Sequence, residues 1–553
     1  DVVHEEVSLL RHMKLHGTVG CALEKVYAKK IDEHLGELAY HFLEGNDKEK
    51  ALDYFMKAGE KAEKTYAHNE AISYLQHALE LLEEKENNLE TKARITEKLG
   101  AITAFIGELD VCMEHWNKSL ALWNQLGDME GVSRLHVIMA KTSWERASDQ
   151  GKASEHHRLA LEILEKEPES VELARLYEDI AHMLWRAGDY GKASSFVQKA
   201  FKLAEKLGDP EILAGCYNDL GNISGNLGET EKGLKYLEQG LKIAVENNCI
   251  QPALTLYNNV SLYYTTMGEV PKGFETLQKG FELAKKVGEV SLISWLGLVL
   301  AFFYVFMGEI QKAISMTEEL LALDKRTKNT IGIASAMSIL GFGYQFLGEW
   351  DKSLQYLIEA NEIAKKTGDY QISGEPIWML GELFLEMEDY AEAEKYLNEG
   401  RTIYETARDE VKLHGYILPA LSRLYLKKGE IEKAEELIEK IYEFAAKAKM
   451  EWLIADAEKL RGMLFREQKS WEQSIQHFEK SLEKYKSLNL HKWWVLEFAG
   501  LLYEYGLMHL NRNQEGDKEK AYSLLNQALE IYRKTDAKKR IEKVIAKKKL
   551  LTA

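Results

Sequence analysis

The sequence predicts an all-α solenoid of stacked helical hairpins, and three observations carry that prediction. The chain has 553 residues, and a single hydrophobic core stops growing at about 250–300, so it forms either several domains or a repeat array. Its composition is that of helix formers: 6 Pro, 39 Gly, 29% charged and 45% hydrophobic residues, with Lys, Glu, Leu and Ala dominant. The third observation is periodicity. Gly188, Gly228, Gly268, Gly308 and Gly348 are each 40 residues apart, and the register continues through Glu388 and Gly429. Gly208, Asn248, Gly288, Lys328 and Gly368 form a second set, again 40 apart and midway between the first. Each period therefore holds two helices of about 16–18 residues with a turn after each.

The residues inside the period justify the elements in order. Small residues recur 12 apart across each hairpin: Ala39 and Ala51, Ala181 and Ala193, Gly221 and Gly233, Ser261 and Gly273, Ala301 and Ala313, Gly341 and Ser353, Gly381 and Ala393, Ser422 and Ala434. A small side chain on each helix lets two backbones approach, while Leu, Tyr and Phe at helical spacing fill the remaining gap. The hairpins are predicted to turn near Gly45, Tyr66, Gly107, Ser148, Gly188, Gly228, Gly268, Gly308, Gly348, Glu388, Gly429, Gln468 and Gly516. Near the start, Ala51 closes one hairpin and Gly59, 12 before Ala71, opens the next. One helix from about Lys48 to Lys64 is thus expected to serve both.

Leu340-Gly341-x-x-Tyr344 followed by Ser353-x-x-x-Leu357 resembles the tetratricopeptide repeat, whose hairpins carry L-G-x-x-Y and A-x-x-x-F. The resemblance covers residues 31 to 534 and implies a right-handed superhelix with a concave groove lined by first helices. The expected plan is a helical arm over 1–84, a tetratricopeptide array over 85–534 and a basic helical tail over 535–553.

Several function classes are disfavoured. With 72 basic against 89 acidic residues and a net charge of −17, the chain lacks the clustered cations that nucleic acid or an anionic membrane requires. Cys21, Cys112, Cys216 and Cys249 show no C-x-x-C spacing, so neither a disulfide framework nor a zinc site is indicated, and a reducing cytoplasm is the expected location. Gly151-Lys152-Ala153-Ser154 and Gly191-Lys192-Ala193-Ser194 look like phosphate-loop endings, but Arg146 and Arg186 stand where the loop needs glycine. His156-His157, His34 with His41, and His115 lack metal-ligand spacing. Carboxylates are expected on outer helix faces as partners of Lys. No catalytic residue, metal or cofactor is expected. The uncharged stretch Val290 to Gly308 has the length of a membrane span, yet it fits one first helix, and a core helix is expected. Its missing polar face implies that the groove is closed there by neighbouring coils or holds an apolar ligand.

The register places Trp185, Asn218, Asn222, Asn258, Leu298, Phe302, Val305, Ser338, Phe342, Gln345, Trp378 and Glu382 on the groove side of the first helices. The candidate inducer or peptide site is drawn from these: Trp185, Asn218, Asn222, Asn258, Phe302, Ser338, Phe342, Gln345, Trp378 and Glu382. Asn258-Asn259-Val260-Ser261 resembles the Asn-Asn-Leu-Ala of kinesin-light-chain-type repeats, which implies that Asn258 hydrogen-bonds an extended peptide backbone; solvating the groove is the alternative.

The N-terminal segment carries Arg11, His16, Val19, Ala22-Leu23-Glu24, Tyr27, Asp32-Glu33-His34, Glu37-Leu38-Ala39-Tyr40-His41-Phe42, Gly45-Asn46, Lys48, Lys50-Ala51, Tyr66-Ala67 and Glu70-Ala71. This run is similar to the arm that precedes the repeats in signal transduction ATPases with numerous domains (STAND) and related AAA-type ATPases with tetratricopeptide repeats. The resemblance implies that the array is a sensor. An inducer, small molecule or polypeptide, binds the groove and relieves autoinhibition exerted with the parent's nucleotide-binding domain. The chain starts at Asp1 and has no P-loop, so a non-enzymatic arm-and-sensor fragment is expected. A free-standing scaffold for extended peptides is the alternative.

Overall fold

The computed structural model describes residues 9–83, 88–145, 149–367 and 369–552, and these are helical from end to end, without a strand among them. The expected turns at Ser148 and Gly368 lie outside the described residues. The chain divides into two compact units. One comprises Asp1–Met139, Arg158–Lys166 and Val287–Val290, and the other Ala140–His157, Glu167–Lys286 and Ser291–Ala553.

In the first unit the Lys48–Lys64 helix packs against both Leu35–Glu44 and His68–Glu83, so one helix does serve two hairpins. Phe42, Phe55 and Leu75 are fully buried there. The Leu9–Val26 helix is tied on by Glu24, which accepts from Lys50 Nζ and Tyr54 OH, each at 2.7 Å. Gly20 sets the approach, since a Cβ there would lie 3.1 Å from the Phe42 ring.

The larger unit holds regular hairpins, such as Pro210–Asn226 with Thr230–Glu246 and Thr330–Leu347 with Trp350–Thr367. Their turns require left-handed backbone, which only glycine adopts without steric cost. Gly188, Gly228, Gly268, Gly308, Gly348 and Gly429 have φ between 75° and 88°. Where the register lacks glycine the backbone keeps the same conformation: Glu388 has φ 65° and Lys469, one residue after the expected Gln468, has φ 59°. An Asp or Asn then caps the next helix, as when Asp189 Oδ1 accepts from Lys192 N at 3.1 Å and Asn329 Oδ1 from Gly332 N at 3.1 Å.

The 12-residue pairing is a close contact. A Cβ on Gly233 would sit 2.7 Å from the Gly221 carbonyl oxygen, and Ser353 Oγ donates to Gly341 O at 2.7 Å. Ser474 Oγ repeats this on Gly462 O at 2.7 Å. First helices also pack on the next first helix, Val171–Arg186 on Pro210–Asn226, Thr330–Leu347 on Tyr370–Glu386, and Leu418–Lys428 on Glu451–Glu467. The array in this unit thus curls around its first helices. It curls far enough for successive turns to touch: Tyr190 OH lies 3.2 Å from Tyr370 OH, Arg186 pairs with Asp369, and Lys449 Nζ reaches Glu231 at 3.0 Å, 218 residues away.

Among the described residues one helix, Thr330–Leu347, is long and apolar enough to cross a membrane, and 78% of it is buried in the fold. The apolar Val290–Phe306 helix is likewise largely internal, with Leu296, Leu298, Leu300, Ala301 and Val305 at most 2% exposed.

A buried carboxyl sits where this helix meets the next. Asp324 is fully buried and accepts from Ser294 Oγ at 2.5 Å and Asn329 Nδ2 at 2.8 Å. Burial pushes its pKa up to about 6, against these two hydrogen bonds. The folded state then binds the Asp324 proton more tightly than the unfolded chain, so this group's contribution to stability falls as pH rises from about 4 to 6. Asp324→Asn is expected to flatten that slope and to raise stability at pH 7 by on the order of 2 kcal/mol. Denaturant melts at pH 4 and pH 7 check it.

Candidate functional site

The inner wall of the larger unit is built one first helix at a time. On three successive first helices, polar side chains form a continuous hydrogen-bonded chain. Asp219 is fully buried, and its Oδ1 accepts from Trp185 Nε1 and from His182 Nδ1, each at 2.9 Å. Asn218 adjoins it, and its Oδ1 accepts from Asn259 Nδ2 at 2.7 Å and Asn222 Nδ2 at 3.3 Å. Asn222 Nδ2 also reaches Asn218 O at 2.9 Å. Asn258 Nδ2 donates to Asn259 Oδ1 at 2.9 Å, while Asn258 Oδ1 is buried without a partner, as is Asp219 Oδ2. Next to this chain, burial and the charge of Asp219 push Glu178 up to about 7. The structure therefore brings Trp185, Asn218, Asn222 and Asn258 into one network, with Asp219, His182 and Asn259 as members the groove register left out.

The second part of the wall is aromatic. Phe302 lies 4.9 Å from Phe306 and 5.8 Å from Phe342 between ring centres. Phe342 touches Phe306 at 5.8 Å, Phe346 at 4.8 Å and Trp378 at 5.6 Å. From Trp378 the contact passes to Tyr416 at 4.8 Å. On the other side Phe306 meets Trp494 at 6.3 Å, and Trp494 meets Trp452 at 5.4 Å. The Trp452 ring also rests on Gly415, where a Cβ would be 3.2 Å away. Five ring contacts thus link Tyr416, Trp378, Phe342, Phe306, Trp494 and Trp452 into one aromatic file. The missing polar face of the Val290–Phe306 helix follows from this: neighbouring coils cover it.

Gln345 is 2% exposed and its Oε1 has no partner; the indole N–H groups of Trp378 and Trp452 are also buried and unpaired. Ser338 is spoken for, because its hydroxyl donates to Ala334 O at 2.9 Å within its own helix.

The third layer is ionic. One turn beyond Trp378, Glu382 pairs with Arg423. Burial drives the Glu382 pKa up, and Arg423 only partly offsets it. Lys459 pairs with Asp456 and lies 3.5 Å from Glu497, Arg466 Nη1 lies 2.6 Å from Glu504, and Arg540 of the C-terminal helix pairs with Glu386. The expectation that carboxylates occupy outer faces is therefore corrected for these residues. Many outer carboxylates do pair with Lys three or four residues away, as Glu275 with Lys279, but Asp219 and Glu382 are enclosed and Glu504 is largely buried, where only a cation or donor close by makes burial tolerable.

Among the described residues no group of three or more His, Cys, Asp or Glu is placed to hold a metal ion. A shallow depression of about 710 Å³ bounded by Gln278, Phe281, Tyr304, Lys312 and Met316 is open to solvent and contains none of the predicted site residues.

The model for the MalT-like tetratricopeptide-repeat region matches residues 62–368, and a tetratricopeptide-repeat model matches residues 332–406. No curated protein matches the chain. Among solved structures, a Rap protein complexed with competence and sporulation factor is 15% identical, covering 66% of this chain and 99% of its own, with a TM-score of 0.51. The STAND protein with a tetratricopeptide-repeat sensor from Pyrococcus horikoshii is 16% identical over 69% of this chain and 54% of its own, with a TM-score of 0.38. The Cut9–Hcn1 hetero-tetramer of the APC/C is 14% identical over 96% and 93%, with a TM-score of 0.49. The first of these is a likeness of fold. The resemblance to a STAND-type sensor region rests on the repeat family itself. Because its model accounts for more than half of the chain, and the hairpins close on the small-residue pairs that define such repeats, the chain belongs to the MalT-like tetratricopeptide-repeat family.

Proposed function

We propose that the chain is the ligand- and partner-sensing module of a STAND-type signalling ATPase, holding an inducer against its inner wall and thereby controlling autoinhibition of the parent protein. The observation that carries this reading is the hydrogen-bonded chain from Trp185 through Asp219 and Asn218 to Asn258. It runs across three first helices and ends in a buried, unpartnered amide oxygen. Buried polar atoms are paired in more than about 90% of cases, so a free acceptor on an inner wall suits a donor supplied from outside. The Rap protein, of similar fold, is complexed with competence and sporulation factor, which supports ligand capture by an array of this kind.

Such a module works by population shift. Moving an equilibrium from 1:99 to 99:1 requires the inducer to favour one arrangement by about 10⁴-fold. The contacts between successive turns, Arg186 with Asp369 and Tyr190 with Tyr370, are the ones such a shift would change. Asn258→Ala is expected to weaken inducer binding by about tenfold with helicity unchanged. Circular dichroism beside a binding titration checks it, and lost helicity would make Asn258 a structural residue. Deleting residues 140–553 from the parent should remove inducer control of ATP hydrolysis; unaltered control would overturn the reading.

A further inference from the structure

The basic tail opposes the chain's net charge of −17, and earlier repeats hold it at named positions. Its helix, Lys538–Thr552, carries seven Lys and Arg and packs on the last hairpin helix, Asp517–Lys534, as a terminal cap would. Capping does not account for its other contacts. Arg540 reaches 154 residues back, where its Nε donates to Glu386 Oε1 at 3.1 Å and its Nη2 bonds the same oxygen. Its guanidinium lies over the Phe346 ring, 4.4 Å from the centre. One turn on, Lys543 Nζ donates to the Glu386 carbonyl at 3.0 Å. The tail also crosses the Gly348 turn so closely that a Cβ there would lie 3.2 Å from Lys539 N.

These contacts fall on the inner wall. Phe346 touches Phe342 at 4.8 Å, and Glu386 follows Glu382 by one helical turn. The chemistry selects arginine: a planar cation stacks on an aromatic face while its donors meet a carboxylate. Glu497 adds a second negative charge nearby. Glu386 ends the Tyr370–Glu386 helix, so its carbonyl belongs to the negative pole that favours the Lys543 ammonium. An acidic partner would meet repulsion from both carboxylates. The pair is reachable from solvent, since the Arg540 and Glu386 side chains are 20% and 18% exposed. Farther along, the tail helix leaves the wall, and Leu550 is 62% exposed.

We propose that Phe346 and Glu386 form a recognition site for an arginine presented on a basic helix. Here Arg540 of the C-terminal helix fills it as a strap, and a partner helix carrying an Arg with a Lys three residues later takes the site by displacing that strap. The inference rests on the reading of the inner wall as a sensing surface and names, for this end of it, the partner class and the segment that competes.

Fluorescence anisotropy with a labelled synthetic peptide of residues 535–552, added to the full chain, tests it. The strap competes at an effective concentration on the order of mM. The wild type is therefore expected to bind the peptide at least about tenfold more weakly than the variant Arg540→Ala/Val544→Asp, whose strap is released. Val544 is 1% exposed, so a carboxylate there opposes docking. On the released chain, a peptide carrying Arg540→Ala is expected to bind about tenfold more weakly than the parent peptide. Adding Glu386→Gln to the released chain is expected to weaken the parent peptide similarly. Arg540→Ala alone is expected to improve binding over the wild type by about threefold, which keeps the comparison if the double variant does not fold. Equal binding by wild type and released chain, no binding by the released chain, or binding indifferent to the peptide's arginine would overturn the proposal. If the peptide fails while inducer binding still depends on Asn258, this inference falls and the sensor reading stands.

Discussion

Gly341→Leu is expected to destabilise the larger unit by about 3 kcal/mol, the upper part of the range for an overpacked core. Gly341 is fully enclosed on the Thr330–Leu347 helix. A Cβ alone would lie 2.6 Å from Leu357 Cγ and 3.2 Å from the Ser353 carbonyl oxygen. Leu357 is itself fully buried, so it has nowhere to withdraw, and the backbone oxygen can move only if the hairpin opens. The same wedge would break the 2.7 Å bond from Ser353 Oγ to Gly341 O. Thermal or denaturant unfolding measures the loss. A melting temperature equal to the wild type's would show that the 12-residue pairs do not set the helix approach.

Arg466→Met is expected to cost about 3–5 kcal/mol, because it strands a carboxylate in the interior. Arg466 is 4% exposed and bonds Glu504 Oε2 at 2.6 Å, the Glu504 carbonyl at 3.3 Å and Glu467 at 3.0 Å. Burial alone would raise the Glu504 pKa; Arg466, with Lys427 nearby, holds it below the usual carboxylate range. In the wild type this pair therefore contributes stability that is present above the unfolded carboxylate pKa of about 4.3 and is lost as pH falls through the folded value. In the variant that contribution shrinks. Without Arg466 the folded pKa rises, so the variant's deficit grows as pH rises through about 4.3 and is smallest in acid. Adding Glu504→Leu should restore most of the stability at pH 7, since a buried pair replaced by apolar groups is often neutral. Urea melts at pH 4 and pH 7 on the wild type, single and double variants separate these outcomes.

Particular residues show how far the sequence could be followed. Turn glycines were legible because left-handed backbone favours glycine, and the register also found Glu388, which takes φ 65° at the same turn position. Small-residue pairs were legible because close helix approach admits only Gly, Ala or Ser. The groove positions were harder. A constant 40-residue step joins Phe302, Phe342 and Glu382, whereas the file of touching rings follows Phe306, Phe342 and Trp378 at steps of 36. Each repeat is rotated relative to the last, so the side chains at one level of the wall slip back one helical turn per period.

Beyond Glu382 even that step is interrupted. A wide π-type turn over Leu413–Ile417 shifts the face before Arg423, and the break at Asn489 and Trp494 does so again. Tyr416, Arg423, Trp452, Lys459, Trp494 and Glu497 consequently lay outside the fixed register. Asp219 was missed for another reason. In sequence it is one more acidic residue on an acidic chain, and only its contacts with Trp185 and His182 on the preceding helix mark it as internal.

The central claim, that the inner wall captures a ligand, meets its most direct test in native mass spectrometry of the chain after exposure to cell extract. The wild type and an outer-face control, Lys279→Ala, are expected to carry the same additional bound mass, and Asn218→Ala/Asn258→Ala to have lost it. A bound mass that is equal on all three, or absent from the wild type, would contradict the claim.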